Sequence, residues 1–400
     1  MDIKFTDGGV TAPKGFTANG IHCGIRKSKD KKDLALIFCE KECDTAAVYT
    51  QNLVCGAPIT VTKNNISDGK ARAVVCNSGI ANTCNADGIE KAEGMCEITA
   101  NALGISKSDI IVASTGVIGQ PLDLEPVKNG IGKLVSGLNK NGSDSAANAI
   151  MTTDTVKKEF ACEFTLGGKP CHIGAISKGS GMIHPNMGTM LAFITTDCKV
   201  EQKVLQACLL DNTNKTFNRV SVDGDTSTND MCIVMANGMA QNDVFEKEVF
   251  DEALHFVMEE LAKKIAADGE GAGKLMTVTV NGADTLENAE TLAMSVCSSS
   301  LVKAAMFGAD ANWGRVICAL GYSGVEFDPE LVDISFKSNE EIFCCESGKG
   351  LDFDEEKAKS ILLQEEIEII CDMHSGSESC TCWGCDLTYD YVKINGDYRT

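Results

Sequence analysis

A chain of 400 residues, 44% of them hydrophobic, is long enough to bury a large core, and size scaling allows about two to three domains or one intertwined unit. Its 57 acidic against 36 basic residues, a formal charge of −21, exclude nucleic acid and anionic membrane as general partners. No leader with a charged start and an apolar stretch is seen, nor an unbroken apolar run of about 18 residues, and the 20 cysteines are scattered from Cys23 to Cys385. A soluble, cytoplasmic protein with reduced thiols is therefore expected, with no membrane and no nucleic acid among its partners.

The pattern along the chain is an α/β mixture. "DLALIF", "AAVYT", "PITVTK" and "ARAVVCNSG" read as strands, and "GIEKAEGMCEITANALG" as a helix stopping at Gly104. "IIVASTGVIG" is a strand entering a glycine-containing loop, "LEPVKNGIGKLVSGL" a helix, and "KEFACEFTLGGKPCHIGAIS" a hairpin turning at Gly167 and Gly168. Next comes "GMIHPNMGTMLAFITTD", in which a Gly-Thr pair, Gly188 and Thr189, opens a run of apolar residues. The clearest helix is "VFEKEVFDEALHFVMEELAKKIAADG", with Phe250, Leu254, Val257, Leu261 and Ile265 on one stripe and Gly269 as its stop. "KLMTVTVNGA" is a strand, "LAMSVCSSSLVKAAMFG" helix-like, and "EIEIICDM" and "LTYDYVKING" read as strands. No repeat, low-complexity tract or Pro-rich linker marks a domain boundary.

Most motifs that suggest chemistry fail on counting. His184 and His374 lack a convincing partner, and no G-x-S-x-G or H-E-x-x-H is present. The run "DGEGAGKL", Asp268 to Leu275, misses the phosphate-loop pattern at both ends, which leaves a helix C-cap, a turn, and Glu270 held between two glycines. "CTCWGC", with Cys371 and His374 upstream, has some ligand spacing, but cysteine is abundant throughout and no metal is expected.

Gly188-Thr189 offers more. A threonine hydroxyl is a weak nucleophile unless a base adjoins it, and a threonine at a chain terminus has its own amine as that base. For Thr189 this requires cleavage of the Gly188 to Thr189 bond, by attack of Oγ on the Gly188 carbonyl, and an oxyanion hole. The turn "STGVIG", Ser114 to Gly119, can aim backbone N–H groups into a cleft.

Taken together, "GVTAPKGF", "NSGIANTCNADG", "ASTGVIG", "IMTTDT", "KGSGMIHPNMGTMLAFITTD", "NRVSVDGDTSTND", "DGEGAGK", "FGADANWGR" and "WGCDLTYDYVKINGDYRT" follow one order. In this the chain resembles the ornithine acetyltransferase family of arginine biosynthesis, autoprocessed glutamate N-acetyltransferases, along essentially its whole length. The resemblance implies a layered α/β sandwich formed jointly by an α chain, residues 1–188, and a β chain, 189–400. It implies Thr189 as nucleophile, Thr115 and Gly116 as the oxyanion-hole pair, and Thr152 or Thr153, Lys178, Thr189, Glu270, Asn395 and Thr400 as substrate-binding residues. The implied partners are N-acetyl-L-ornithine and L-glutamate, with acetyl-CoA as a further donor in bifunctional members, no cofactor, and a heterotetramer of two αβ units. Departures from the family pattern are Gly188 where alanine is usual, Gly273 in "GEGAG", Gly396 in "INGDY", and Cys380 and Cys382 where small residues are usual.

Two rivals stand beside that reading. One is an N-terminal-nucleophile hydrolase that passes the acyl group from Thr189 to water, and the other is a cysteine-rich metal-binding protein.

Overall fold

The computed structural model describes residues 3–184 and 190–397. In chain order it begins with β1 (Lys4–Phe5), β2 (Phe16–Ile21), the long strand β3 (Leu34–Tyr49), α1 (Ala57–Asn65), β4 (Lys70–Asn77), α2 (Gly88–Leu103) and β5 (Ile110–Ser114). It continues through α3 (Glu125–Ser136), α4 (Ser143–Ile150), the hairpin β6 (Lys158–Leu166) and β7 (Lys169–Lys178), then β8 (Leu191–Thr196), α5 (Gln202–Lys215), β9 (Val220–Ser221) and β10 (Met231–Ala236). The remainder is α6 (Lys247–Ala267), β11 (Leu275–Ala283), α7 (Leu286–Ser298), α8 (Ser300–Phe307), α9 (Trp313–Gly321), β12 (Asp333–Lys337), β13 (Glu341–Glu346), β14 (Lys349–Gly350), α10 (Glu355–Leu362), β15 (Glu366–Asp372), β16 (Glu378–Cys385) and α11 (Tyr389–Gly396).

Two sheets result. The first runs β1-β6-β7-β8-β10-β3-β4-β5, with β2 also paired to β3, and the second runs β14-β13-β12-β15-β11-β16-β9. The central strands β8, "LAFITT", and β10, "MCIVMA", are buried along their whole length, as expected of unbroken apolar runs covered on both faces. They run parallel to each other and fill the space between β7 and β3, to which they are antiparallel.

The stripe read from the sequence explains the middle layer. Phe250, Leu254, Val257, Leu261 and Ile265 of α6 are all buried in one cluster with residues of β6, β7 and β8 and with Trp383 and Cys385 of β16. Helix α6 thus lies between the two sheets. α4 covers the other face of the first sheet, and α7, α9 and α10 cover the second, which makes the molecule a layered α/β sandwich.

Three readings are corrected. "PITVTK" is helix α1, with Pro58 in its first turn, the position where the missing N–H of proline is harmless; its alternating β-branched residues imitate a strand. Buried Thr62 joins α1 to β5, donating to the Val112 carbonyl at 2.7 Å and accepting its N–H at 2.9 Å. "LTYDYVKING" is helix α11, started by the Thr388 side chain accepting the Asp390 N–H. "LAMSVCSSSLVKAAMFG" is two helices, broken at Ser299, which caps the second. In addition, "DLALIF" and "AAVYT" belong to the single strand β3, whose pairing with β4 shifts between Phe38 and Cys43.

The helical phase of α1 is testable, because a strand would place positions 60 and 62 on one face whereas Thr60 is exposed and Thr62 buried. Thr62→Val should destabilise by about 1–3 kcal/mol, since it leaves a buried N–H and C=O unpaired, while Thr60→Val should stay within about 0.5 kcal/mol. Urea unfolding of both variants gives the comparison.

Candidate acyl-transfer site

A cavity of about 230 Å3 opens where the first sheet meets the α6–β11 turn. Its wall includes Thr115, Gly116, Thr152, Thr153, Lys178, Glu270 and Asn395, so every site residue expected from the sequence that falls among the described residues is at this one place. Gly188, Thr189 and Thr400 lie outside the described residues. The chain re-enters at Met190, immediately before β8.

One end of the cavity is built on the turn after β5. The Thr115 N–H is already committed to the Asn77 carbonyl at 2.9 Å, which leaves Gly116 as the residue of the pair with an unbonded backbone N–H among the described residues. The Thr115 hydroxyl likewise has no hydrogen bond among the described residues, so two donors of this turn are free there. Gly116 sits at φ +127°, and a Cβ on it would lie 2.3 Å from the Gly79 carbonyl oxygen. No other residue can make this turn unstrained.

The opposite wall carries the charges. Lys178, the last residue of β7, is buried, with Nζ 3.3 Å from Thr152 Oγ1. Burial lowers its affinity for a proton, while the Asp154 and Asp230 carboxylates oppose that effect. Asp154 accepts the N–H groups of Thr152 at 2.9 Å and Gly179 at 2.8 Å, and pairs with Lys158 at 2.7 Å. Burial by itself would raise the Asp154 carboxyl, but the Lys158 and Lys178 ammonium groups hold it well below the usual carboxylate range. Lys158, 1% exposed, also pairs with Asp268 at the end of α6.

Glu270 follows in the next turn. Its N–H bonds the Ser180 carbonyl at 2.9 Å, and its Oε2 accepts from Asn395 of α11 at 2.8 Å. A Cβ at Gly181 would lie 2.4 Å from that carboxylate, so the glycine at 181 lets the acid approach the backbone. The rest of the glycine-rich run is folded on itself: the Gly273 and Lys274 N–H groups, which a phosphate would need, bond Asp386 Oδ1 at 2.8 and 3.0 Å.

One wall residue, Asn229, and its buried neighbour Asp230 carry no assignment from the sequence, although their motif is seen there. Asn229 of "STND" donates to the carbonyls of Ala81 and Ser114 at 2.7 and 3.0 Å and accepts from Thr83 and Thr228, tying three distant segments together. Asp230 is buried beside it and bonds the Met190 N–H at 2.9 Å. Neighbours that are 146 residues apart in sequence, such as Thr83 and Asn229, leave no local pattern to read.

The cysteine-rich tail has no part in this site. Cys380 and Cys382 are buried on β16, and His374 is half-exposed and paired with Asp333 at 2.7 Å. Among the described residues the single group of three close metal-type ligands is Cys171, Asp197 and Cys198. There the carboxylate is already held by the His172 N–H, the His172 ring and the Lys14 N–H.

A small cavity with two free donors, a buried cation and a buried carboxylate, on a layered α/β frame whose central strand follows a threonine, is a set of groups suited to an acyltransferase. The ArgJ family model matches residues 17–400. An arginine biosynthesis bifunctional protein from Caldanaerobacter subterraneus subsp. tengcongensis is 48% identical over the full length of both chains, and one from Clostridium acetobutylicum is 49% identical over 96% of each. The solved structure of a similar protein from Bacillus halodurans, 46% identical, is matched along 100% of its chain by 52% of this one, with a TM-score of 0.51. The chain belongs to the ArgJ family, and with it to the enzymes of arginine biosynthesis.

The buried charge cluster can be tested by itself. Asp154, with its carboxyl depressed in the fold, adds stability that is fully present above the titration range of an unfolded aspartate and is lost progressively as pH falls from there through the depressed range of the folded carboxyl. Lys158→Met should cost about 3–5 kcal/mol at neutral pH by leaving two buried carboxylates unpaired. Denaturant titrations across pH should show that loss shrinking on acidification.

Proposed function

We propose that the chain transfers acetyl from N-acetyl-L-ornithine to L-glutamate, giving L-ornithine and N-acetyl-L-glutamate, with Thr189 as the acyl carrier. The observation that carries this reading is the convergence of Lys178, Glu270, Thr115 and Gly116 on one cavity of about 230 Å3. Drug-sized ligands occupy about 300–1,000 Å3, so this space suits an amino acid derivative. Lys178 matches the substrate α-carboxylate and Glu270 the side-chain ammonium of acetylornithine.

The nucleophile first has to be made. Thr189 Oγ attacks the Gly188 carbonyl, an ester forms as the peptide C–N bond breaks, and water releases chains 1–188 and 189–400. The sheet order favours lasting association, since β8 and β10 of the second chain would sit between β7 and β3 of the first. The half-length of the solved Bacillus halodurans chain agrees with such a cut.

The new α-amine, which titrates near ~7.7–8 in an unperturbed terminus, then accepts the Oγ proton as Oγ attacks the acetyl carbonyl. Gly116 N–H and the Thr115 hydroxyl hold the oxyanion, a role worth about 10²–10³ in kcat for a single donor. Ornithine leaves with the proton, and the glutamate amine takes the acetyl group by the reverse steps. No metal or cofactor enters.

Acetyl-CoA is proposed as a further donor. Its acetyl end would enter the cavity, and the remainder would lie in a second cavity of about 730 Å3, which like the first is walled in part by α11 and is lined by Lys157, Lys264 and Lys393. A cytoplasmic location accords with twenty free cysteines and with the absence, among the described residues, of a helix long and apolar enough to cross a membrane. Assembly of two αβ units rests on the family resemblance.

Intact mass and N-terminal sequencing of the purified protein should give two chains, one beginning at Thr189, and Thr189→Ala should stay uncut and inactive. Cleavage of Thr189→Ala, or free acetate in place of N-acetylglutamate when glutamate is supplied to the wild type, refutes the proposal. In steady-state kinetics Lys178→Ala should raise KM for both amino acids about 10–100-fold, the worth of a lost charge-assisted hydrogen bond; unchanged KM values remove Lys178 from the binding role.

A further inference from the structure

The run "RKSKDKK", Arg26 to Lys32, packs five cations and one acid into a chain whose formal charge is −21. It lies in the loop between β2 and β3, which is closed by the fully buried Asp33. The Asp33 carboxylate accepts the N–H groups of Cys23, Gly24 and Arg26 at 2.7, 3.1 and 3.0 Å, so this acid is spent on the loop's own backbone. Lysines elsewhere on the surface, such as Lys70, Lys128 and Lys215, stand in ion pairs. Lys27, Lys29, Lys31 and Lys32 form none with a described residue: Lys31 and Lys32 bond neutral oxygens, and Lys27 and Lys29 are exposed.

The loop is fastened to two walls of the cavity already described. On one side the Arg26 guanidinium bonds the Ser78 carbonyl at 2.7 Å, and a Cβ on Gly79 would lie 2.6 Å from Ile25 Cγ2; the Gly79 carbonyl in turn backs Gly116. On the other side the same guanidinium bonds the Met151 carbonyl at 2.6 Å, and Lys31 Nζ bonds the carbonyl of the wall residue Thr152 at 3.1 Å. Uncompensated positive charge, open to water, is therefore held at the rim of a cavity whose wall contains the acid Glu270.

The two amino acids of the proposed reaction differ in charge. At neutral pH N-acetyl-L-ornithine has one carboxylate and one ammonium and so no net charge, whereas L-glutamate has a second carboxylate and one net negative charge. A strongly acidic protein repels the second at long range and not the first. Resting on the acetyl-transfer reading, we propose that the loop from His22 to Asp33 is an electrostatic collar for the acceptor: its lysines raise the concentration of the anionic amino acid at the cavity mouth and leave the capture of the uncharged donor as it is.

Such a collar acts through its field and needs no contact with the bound substrate, which distinguishes it from Lys178 inside the cavity. A buried charge is screened little by salt, while exposed charges act only over the Debye length, ~30 Å at 0.01 M salt and ~3 Å at 1 M. The contribution of the loop is thus the part of glutamate capture that salt removes.

Lys27 and Lys29 test this, because they are exposed and their replacement leaves the bonds of Arg26 and Lys31 to the walls in place. At ~0.01 M salt the double variant Lys27→Gln, Lys29→Gln should lose about threefold in kcat/KM for glutamate, and Lys27→Glu, Lys29→Glu about tenfold. For both, kcat/KM for N-acetylornithine should stay within about 1.5-fold of wild type, and at ~1 M salt the glutamate values of all three proteins should coincide. Glutamate values at low salt that ignore the charge at these positions, or donor values that fall by the same factor, overturn the proposal. Wild type decides without recourse to variants: between those salt limits its kcat/KM for glutamate should fall about threefold or more relative to that for N-acetylornithine, and an unmoved ratio overturns the proposal. The two readings stay separable, since a wild type that transfers no acetyl refutes the function, whereas an active wild type with an unmoved ratio refutes the collar alone.

Discussion

The site stands on one buried ammonium group. Lys158, at the start of β6, bridges Asp154 and Asp268, and each of these acids orders a different segment. Asp154 fixes the Thr152 and Gly179 backbone; Asp268 accepts the Thr155 N–H, and its carbonyl receives the Ser180 hydroxyl at 2.7 Å. The loop before β6, the end of β7 and the turn after α6 are thereby joined, and they supply Thr152, Lys178 and Glu270 respectively. Two buried carboxylates in this position would repel without the cation between them, and the wall of the cavity would part.

The rigidity needed for acyl transfer comes from the sheet below. β8 and β10 are apolar throughout and closed in on both faces, so the residue preceding β8 emerges from a strand with little freedom, and a site held on such an element keeps its geometry. Polar chemistry is confined to the strand ends, where Asn77 ties its turn through the Gly79 and Ile80 N–H groups and Asn229 reaches across to Ala81 and Ser114. These amides have no charge to offer a substrate. They act by fixing the backbone that presents Gly116.

How much of this was readable in the sequence depends on the range of the force involved. The α6 stripe and the β6–β7 hairpin are local patterns and appear as expected. α1 and α11 were misread because β-branched and aromatic residues imitate a strand, while the signals that decide them, Pro58 and the Thr388 cap, are single residues. The motifs marked Thr115, Gly116, Lys178, Glu270 and Asn395, yet the commitment of the Thr115 N–H to Asn77 and the bond of Asp230 to the Met190 N–H arise from contacts between distant segments, which no spacing records.

The insertion of β8 and β10 between β7 and β3 also bears on how the protein is born. Translation delivers β3 and β7 first, and until Ala236 has been made they cannot be joined through their intended neighbours. At about 5–20 residues per second the ribosome takes about 3–12 s to add the intervening segment, and for that interval two apolar strand edges stay open to mispairing. The order of strands that makes the finished molecule hard to pull apart thus gives the nascent chain a vulnerable period, the kind of interval in which holding by a chaperone has most effect.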